Sequence, residues 1–416
     1  MEAPDAEDER SGPARFKRLR SYCREGRMPW RRDGDRLVFL TTRKTDSAPD
    51  ILLSPAAFAE QLRRRFSGRL TSEATEGLFA RAPADSAKRV LAPSQKTPLG
   101  LAALLIVGLA AAAPKTAAAA ALVAVAALFT AMIGVRLALA AIAAAPRQQR
   151  PRKALAESDL PAVTILIPLF REAAALAGLA AALDKLDYPR AKLDIKFLLE
   201  ESDHETIAEA TSLDKDGRYD LVIIPPSSPQ TKPKALNYAL PTARGDLVVI
   251  YDAEDEPEPD QLRLAAETFA AAPAHLACVQ GRLNFYNSGE NWLTRLFTLE
   301  YSLWFDHFLP ALDRIGAPAP LGGTSNVFRI EALIDAGGWD AHNVTEDADL
   351  GLRLARRGWR TAMIASTTYE EANCASPNWI RQRSRWMKGF MQTWLVQRRQ
   401  APSLADWKSV ISVDLF

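Results

Sequence analysis

Two short stretches gather more carboxylates than a fold needs. GDLVVIYDAEDEPEPDQL sets Asp252, Glu254, Asp255, Glu256, Glu258 and Asp260 directly after an apolar run. Like charges so crowded repel one another unless water or a cation neutralises them. Asp252 and Glu254, two apart on an extended turn, are placed to share a hard divalent ion. Magnesium held by one or two carboxylates plus substrate phosphates is the usual arrangement. A solvated acidic loop ahead of a Pro-punctuated helix start accounts for the same residues. TEDADLGLRLARRGWR is the second stretch. Thr345 suits an N-cap, Glu346 and Asp347 suit a first turn facing the helix dipole, and Gly358 suits the end. An acid at that position can also project into a site. In a third stretch, QRSRWMKGF, Gln382 and Arg385 fall three apart on one helical face, with Trp386 one step on. Arg385 is suited to bidentate contact with a phosphate, and Trp386 offers a flat face to a sugar or base. The competing account is a basic helix lying on a membrane, which fits Phe390, Met391, Trp394, Leu395 and the Arg398-Arg399 end.

Such residues act only if a scaffold brings them together. From Leu160 onward AVTILIP, DIKFLL, YDLVIIPP and GDLVVIY read as buried strands, and REAAALAGLAAALDKL and KALNYALPTA as helices. Strand–helix alternation with short links predicts an α/β unit, a mostly parallel sheet with helices on both faces. Ligands bind such sheets beyond the carboxyl ends of the strands. DIKFLL runs into Glu200-Glu201 and GDLVVIY into the acid cluster, so the site is expected there.

Ahead of this unit, residues 99–145 are almost wholly apolar and are split by Pro114-Lys115. A membrane span needs roughly 20 apolar residues. A transmembrane helical hairpin is expected over 98–145, with an Ala-rich buried hairpin as the alternative. Lys88, Arg89 and Lys96 precede it and Arg147, Arg150, Arg152 and Lys153 follow, which puts both flanks in the cytoplasm. Residues 1–13 read as an acidic disordered tail. Residues 14–95 read as a small α+β accessory domain and linker, with DRLVFLTT as a strand and SPAAFAEQLRRRF as a helix capped by Ser54 and started by Pro55. The main unit spans 160–395, and 396–416 reads as an interfacial segment.

Composition narrows the function. Lys and Arg number 52 against 50 Asp and Glu, a formal +2, without the basic excess of a nucleic-acid binder. Three distant cysteines and four scattered histidines argue against zinc or a disulfide framework. Neither GxxxxGK[ST] nor GxGxxG occurs, which speaks against P-loop and dinucleotide chemistry.

Taken in order, these segments resemble the membrane-embedded family 2 glycosyltransferases, the group holding cellulose and hyaluronan synthases and related bacterial exopolysaccharide synthases, over residues 163–390. The resemblance implies a GT-A-like fold and a role for each motif. VTILIPLFRE resembles the opening strand and PxYNE-type turn, implying Phe170 and Glu172 near the nucleotide. FLLEESD stands at the nucleobase-binding acidic pair, here Glu200-Glu201. TKPKALNYAL resembles the KxxxLN stretch, implying Lys234 beside the diphosphate with Asn237 supporting it. DAEDEPEPD matches the DxD segment, implying Asp252 and Glu254 as metal ligands. Asp255 competes with Glu254 because the family's second aspartate is a glutamate here. LGGTSN implies Gly323 and Thr324 in the acceptor pocket. TED implies Asp347 as general base beside Glu346. QxxRW implies Gln382 and Arg385 on the donor and Trp386 on the acceptor sugar.

The implied cofactor is Mg2+ or Mn2+. The implied partners are a nucleotide-sugar donor (a UDP-sugar), a polysaccharide or lipid-linked acceptor and membrane lipids. The implied location is the bacterial inner membrane, multi-pass, with the N-terminal and catalytic domains cytoplasmic. The family continues through further membrane helices after QxxRW, so 396–416 is expected to begin such a region. The 14–80 unit resembles domains found ahead of some secretion ATPases and some membrane glycosyltransferases. The expected chemistry is inverting transfer to a growing polysaccharide. Nonprocessive transfer to a lipid carrier and an inert membrane-tethered scaffold are the alternatives. Tyr301, Trp304, Phe305, Phe308 and Leu309 share a helical face that suits core or interface packing, or an acceptor channel.

Overall fold

The computed structural model describes residues 13–33, 36–43, 50–145, 152–399 and 407–414. The expected acidic tail, apart from Pro13, and the flanking Arg147 and Arg150 lie outside the described residues.

The N-terminal unit is α+β, as its alternating segments suggest. A helix over Pro13–Glu25 is followed by β1 (Arg27–Asp33), β2 (Arg36–Thr41) and β3 (Ile51–Leu52). β1 and β2 pair antiparallel, and β3 adds parallel to β2. The Ser54 side chain accepts from the Ala57 N–H at the start of the Pro55–Arg81 helix, satisfying one of the donors that a helix start leaves unpaired. Cys23, Met28, Leu40, Phe58 and Leu62 fill its small core.

The main unit is built on β4 (Val163–Leu169), β5 (Leu193–Glu200), β6 (Tyr219–Ile224), β7 (Leu247–Ile250), β8 (Glu256–Pro257), β9 (Leu276–Phe285), β10 (Asn326–Arg329) and β11 (Arg360–Glu370). Their order is β6-β5-β4-β7-β10-β9-β11-β8. β6, β5, β4 and β7 are parallel neighbours. β10 then runs against both β7 and β9, while β11 is parallel to β9 and carries β8 antiparallel on its edge. The sheet is therefore mixed, which corrects the mostly parallel expectation beyond β7. Strands and helices still alternate beyond β7, but the chain enters β10 from the opposite end after the helical run from Trp292 to Ile315. Alternate strand residues separate two cores. Ile165, Ile167, Val249 and Val279 meet the Leu176–Asp184 and Gln261–Ala271 helices. Leu166, Val248, Ile250 and Phe328 meet the Lys232–Ala239 and Glu346–Arg356 helices, joined by Leu70 and Ala74 of the N-terminal unit.

The apolar segment forms two helices, Pro93–Ala112 and Pro114–Ala144, of 20 and 31 residues, both long and apolar enough to cross a membrane. They break at Pro114 as its ring requires. Their side chains point outward, Leu104 and Leu122 each being 70% exposed. Leu139 is the exception, buried with Leu283, Phe305, Phe308 and Leu312. Phe308 and Leu309 of the aromatic run belong to this core, which supports packing over a channel. The run is π-helical over Ser302–Phe308.

The Pro55–Arg81 helix of the N-terminal unit is locked to the sheet by buried charge. Arg63 donates two hydrogen bonds to Asp220 at 2.9 and 2.6 Å, and Lys196 reaches the same carboxylate at 2.6 Å. Burial alone would raise Asp220, but Lys196 and Arg63 hold it well below the usual carboxylate range. Removing one member of a buried pair strands the other without water. Arg63→Ala is expected to destabilise the protein by about 3 kcal/mol in urea unfolding of the detergent-solubilised chain. A loss under about 1 kcal/mol, the size of an exposed pair, would contradict the buried lock.

Candidate active site

The candidate site lies beyond the ends of β4 and β7, where Glu172 and Asp252 follow the strands, whereas the expectation placed it at the ends of β5 and β7. The turn after β4 is set by Arg171, a non-glycine in the left-handed region at φ 61, held by its N–H on Asp203 Oδ2 at 2.5 Å. It leaves Phe170 exposed and aims Glu172 at the acids after β7. Burial, then Glu254 and Asp252, push Glu172 up to about 7.

One cation sits among these acids. Lys232, at the start of its helix, donates from Nζ to Asp252 Oδ1 at 2.5 Å and to the Gly323 carbonyl at 2.8 Å. Burial alone would depress Lys232, and Asp252 and Glu346 more than reverse that. A methyl group on Gly323 would come 3.4 Å from Asp347 Oδ2 and 4.0 Å from Lys232 Nζ. Gly323 thus lies between the lysine and the expected base. Asp347 accepts from the Ala348 N–H at 2.7 Å at the first turn of the Glu346–Arg356 helix. Burial raises this neighbouring pair, Asp347 to about 6 and Glu346 to about 8. Glu370, at the end of β11, is held well above the usual carboxylate range by burial and by Asp255, Asp252 and Glu254.

Several expected site residues do other work. Lys234 is fully buried and donates to Glu200 Oε2 at 2.9 Å and to the Pro225 carbonyl at 3.2 Å. Neither Lys234 nor Glu200 faces the cleft, because each satisfies the other beneath it; Glu201 is exposed. The lysine that reaches the cleft is Lys232, missed by the motif reading although counting back from Asn237 along KxxxLN gives that position. Asn237 braces Trp339 instead, accepting from its N–H at 2.9 Å and donating to its carbonyl at 2.7 Å. Asp255 is turned inward, its Oδ2 taking the Asp252 N–H at 2.7 Å and the Thr324 hydroxyl. Of the two competing ligands, Glu254 is therefore the exposed one. The Thr324 hydroxyl also lies 3.0 Å from the Ile250 carbonyl, so its one proton is shared between two acceptors within the loop rather than offered to a substrate.

The QRSRW helix, Ser376–Gln397, meets the loop before Asp347 by its later turns, where Thr393 accepts from Asn343 Nδ2 at 2.9 Å, while its first turns are largely exposed. Gln382 accepts from Asn373 Nδ2 at 2.9 Å. Trp386 packs beside Phe297 and Tyr301, with ring centroids 6.3 and 6.5 Å away, and Arg383 covers it at 4.7 Å. Arg385 is exposed. The helix approaches the loop before Asp347 so closely that only glycine fits at 389. A methyl there would lie 2.5 Å from Thr345 Cγ2 and 2.8 Å from its N.

The donor set suits a hard divalent cation. Carboxylates outnumber the single lysine, and Asp255 Oδ1 and Glu370 Oε1 are buried without a hydrogen-bond partner. Among the described residues no group of three or more His, Cys, Asp or Glu forms a ready metal cage, so substrate phosphates would have to complete any shell begun by Asp252 and Glu254.

The fold is GT-A-like. Residues 247–415 match the model described as Glycosyl transferase family group 2. The chain is 30% identical over 273 residues to the beta-monoglucosyldiacylglycerol synthase of Trichormus variabilis, covering 64% of this chain and 56% of that protein. It is 30% identical over 240 residues to glucomannan 4-beta-mannosyltransferase 7 of Arabidopsis thaliana, covering 56% of this chain and 43% of that one. The chain thus spans about half the length of these curated relatives. In fold it is similar to the mannosyltransferase PcManGT from Pyrobaculum calidifontis, solved with GDP-Man and Mn2+, at TM-score 0.56, 19% identity, and coverage of 71% of this chain and 80% of that one.

Overfilling a tight contact costs about 1–3 kcal/mol. Gly389→Ala is expected to lower stability by that amount in thermal unfolding, and an unchanged Tm would reject the helix–loop contact.

Proposed function

We propose that this chain transfers a sugar, with inversion, from a nucleotide-diphosphate sugar to an acceptor at a membrane surface, with Asp347 as the general base. The observation that carries the reading is Gly323 lying between the Lys232–Asp252 pair and Asp347. A diphosphate leaving group needs its growing charge met where it departs, and Lys232 is the cation available in the cleft. A divalent ion, when bound by Asp252 and Glu254, supplies the same neutralisation as a Lewis acid. Across Gly323, Asp347 takes the proton of the attacking acceptor hydroxyl, for which it must come within hydrogen-bond reach. With one carboxylate at the reacting carbon and attack from the face opposite the diphosphate, an α-linked donor gives a β-linked product. Trp386, backed by Phe297 and Tyr301, is the ring proposed to orient a sugar by its apolar face. UDP-sugars are the first donors to test. GDP-mannose is second, because the mannosyltransferase of similar fold was solved with GDP-Man.

The two apolar helices hold the cleft at the bilayer, which we take to be an inner membrane with the cleft on its cytoplasmic side. A growing polysaccharide of the exopolysaccharide type is the proposed acceptor. A lipid acceptor is the second reading, favoured by the apolar rim beside the aromatic wall. Leu296, Leu299, Met387 and Met391 are exposed there by 53, 66, 65 and 65%.

Asp347→Asn is expected to lower transfer by at least about 100-fold, the scale of a positioned general base, while nucleotide still raises the Tm. Normal turnover by this variant in membrane vesicles would remove Asp347 from the role. Labelled product that partitions into organic solvent would select the lipid acceptor over the polymer. The base acts only when ionised, so kcat/KM, which follows the free enzyme, should fall about tenfold per pH unit below roughly pH 6. A flat profile from pH 5 to 8 would count against it.

A further inference from the structure

The link between the N-terminal helix and the membrane hairpin does more than connect them. Ser86, fully buried, donates its hydroxyl to Asp340 Oδ1 at 3.0 Å, and the Ala87 N–H donates to Asp340 Oδ2 at 2.5 Å. Asp340 is itself 1% exposed. From the other side Arg399 donates to the carbonyls of Pro83, Ala84 and Ser86 at 3.2, 3.1 and 2.9 Å. Arg356, on the helix that Asp347 starts, reaches Asp85 at 3.0 Å.

Asp340 opens the loop that delivers the base. Its Oδ1 also accepts the His342 N–H at 3.1 Å, folding the chain back on itself. The Ala341 carbonyl accepts from the hydroxyl of Thr231, the residue before Lys232, at 3.1 Å. Asn343 donates to Thr393 on the QRSRW helix at 2.9 Å, and its own Oδ1 takes the Thr345 N–H at 3.1 Å. Residues 340–345 are therefore gripped by the helix carrying Lys232, by the QRSRW helix and by the link at 83–87. They end at Glu346 and Asp347.

We propose that residues 83–87 form a strap that positions the catalytic loop, and that Asp340 is the positioning residue through which it sets Asp347 against Lys232. This rests on the transferase reading above. A strap that merely fastened the N-terminal unit would end away from the site, as Arg63 does at Asp220 on β6. This one ends on the loop that carries the base.

The test uses the full chain in membrane vesicles with Ser86→Ala, Asp340→Asn and Asp340→Ala. Displacing a reacting group by about 1 Å can cost 100-fold. Asp340→Ala should therefore lower kcat about tenfold or more, with donor KM within about twofold of the wild type. Asp340→Asn should recover part of the loss, since its amide oxygen still accepts the Ala87 N–H. Ser86→Ala should fall between the wild type and Asp340→Ala. Amide hydrogen exchange should rise at 341–347 and stay unchanged at Tyr219–Ile224. Wild-type kcat and wild-type exchange at 341–347 in Ser86→Ala would overturn the strap, even if Asp340→Ala fails to fold. So would a rise in exchange spread evenly over the domain. Absence of nucleotide release by the wild type from any activated sugar would sink the transferase reading alone, because exchange at 341–347 tests the strap without turnover.

Discussion

One lysine makes this cleft possible. Glu172, Asp252, Glu254, Glu346, Asp347 and Glu370 bear on one another electrostatically, and such crowding in a site with little water is costly unless positive charge is present. Lys232 supplies it while tying the acid turn after β7 to the Gly323 carbonyl. The remaining negative charge leaves the site ready to take up more cation. That combination, fixed in its backbone and short of positive charge, suits a site that must receive a diphosphate together with its counter-ions.

Much of the parallel half of the fold was legible in the sequence. β4 to β7 are short apolar runs buried on both faces, each followed by a change of texture. The remainder was harder to read because β9 and β11 mix polar residues into long strands, with Gln280, Ser366 and Thr368 buried and hydrogen-bonded to neighbours. A period of two is blurred when inward positions carry amides and hydroxyls.

The site was legible by motif and ambiguous by residue. Asp252 and Asp347 converge because their motifs end a strand and start a helix at the same end of the sheet. Lys234 was chosen over Lys232 because two lysines flank Pro233 and sequence alone does not say which side of a helix faces the sheet. Asp255 and Thr324 have the right chemistry for ligands, yet they are consumed in bracing the turn. Buried partners of this kind are visible only once distant segments meet.

The hairpin has one free end, at Pro114, and one anchored end, at Leu139. Leu139 shares its pocket with Phe305, and a methyl added at Gly322 would fall 2.9 Å from the ring edge of Phe305. Gly322 adjoins the carbonyl that Lys232 holds. A bilayer thinner than the 31-residue helix would be matched by leaning that helix, and the pivot of the lean would be set against the aromatic side chain that roofs the glycine turn. Any lean of that helix is thereby joined to the glycine turn by packing alone.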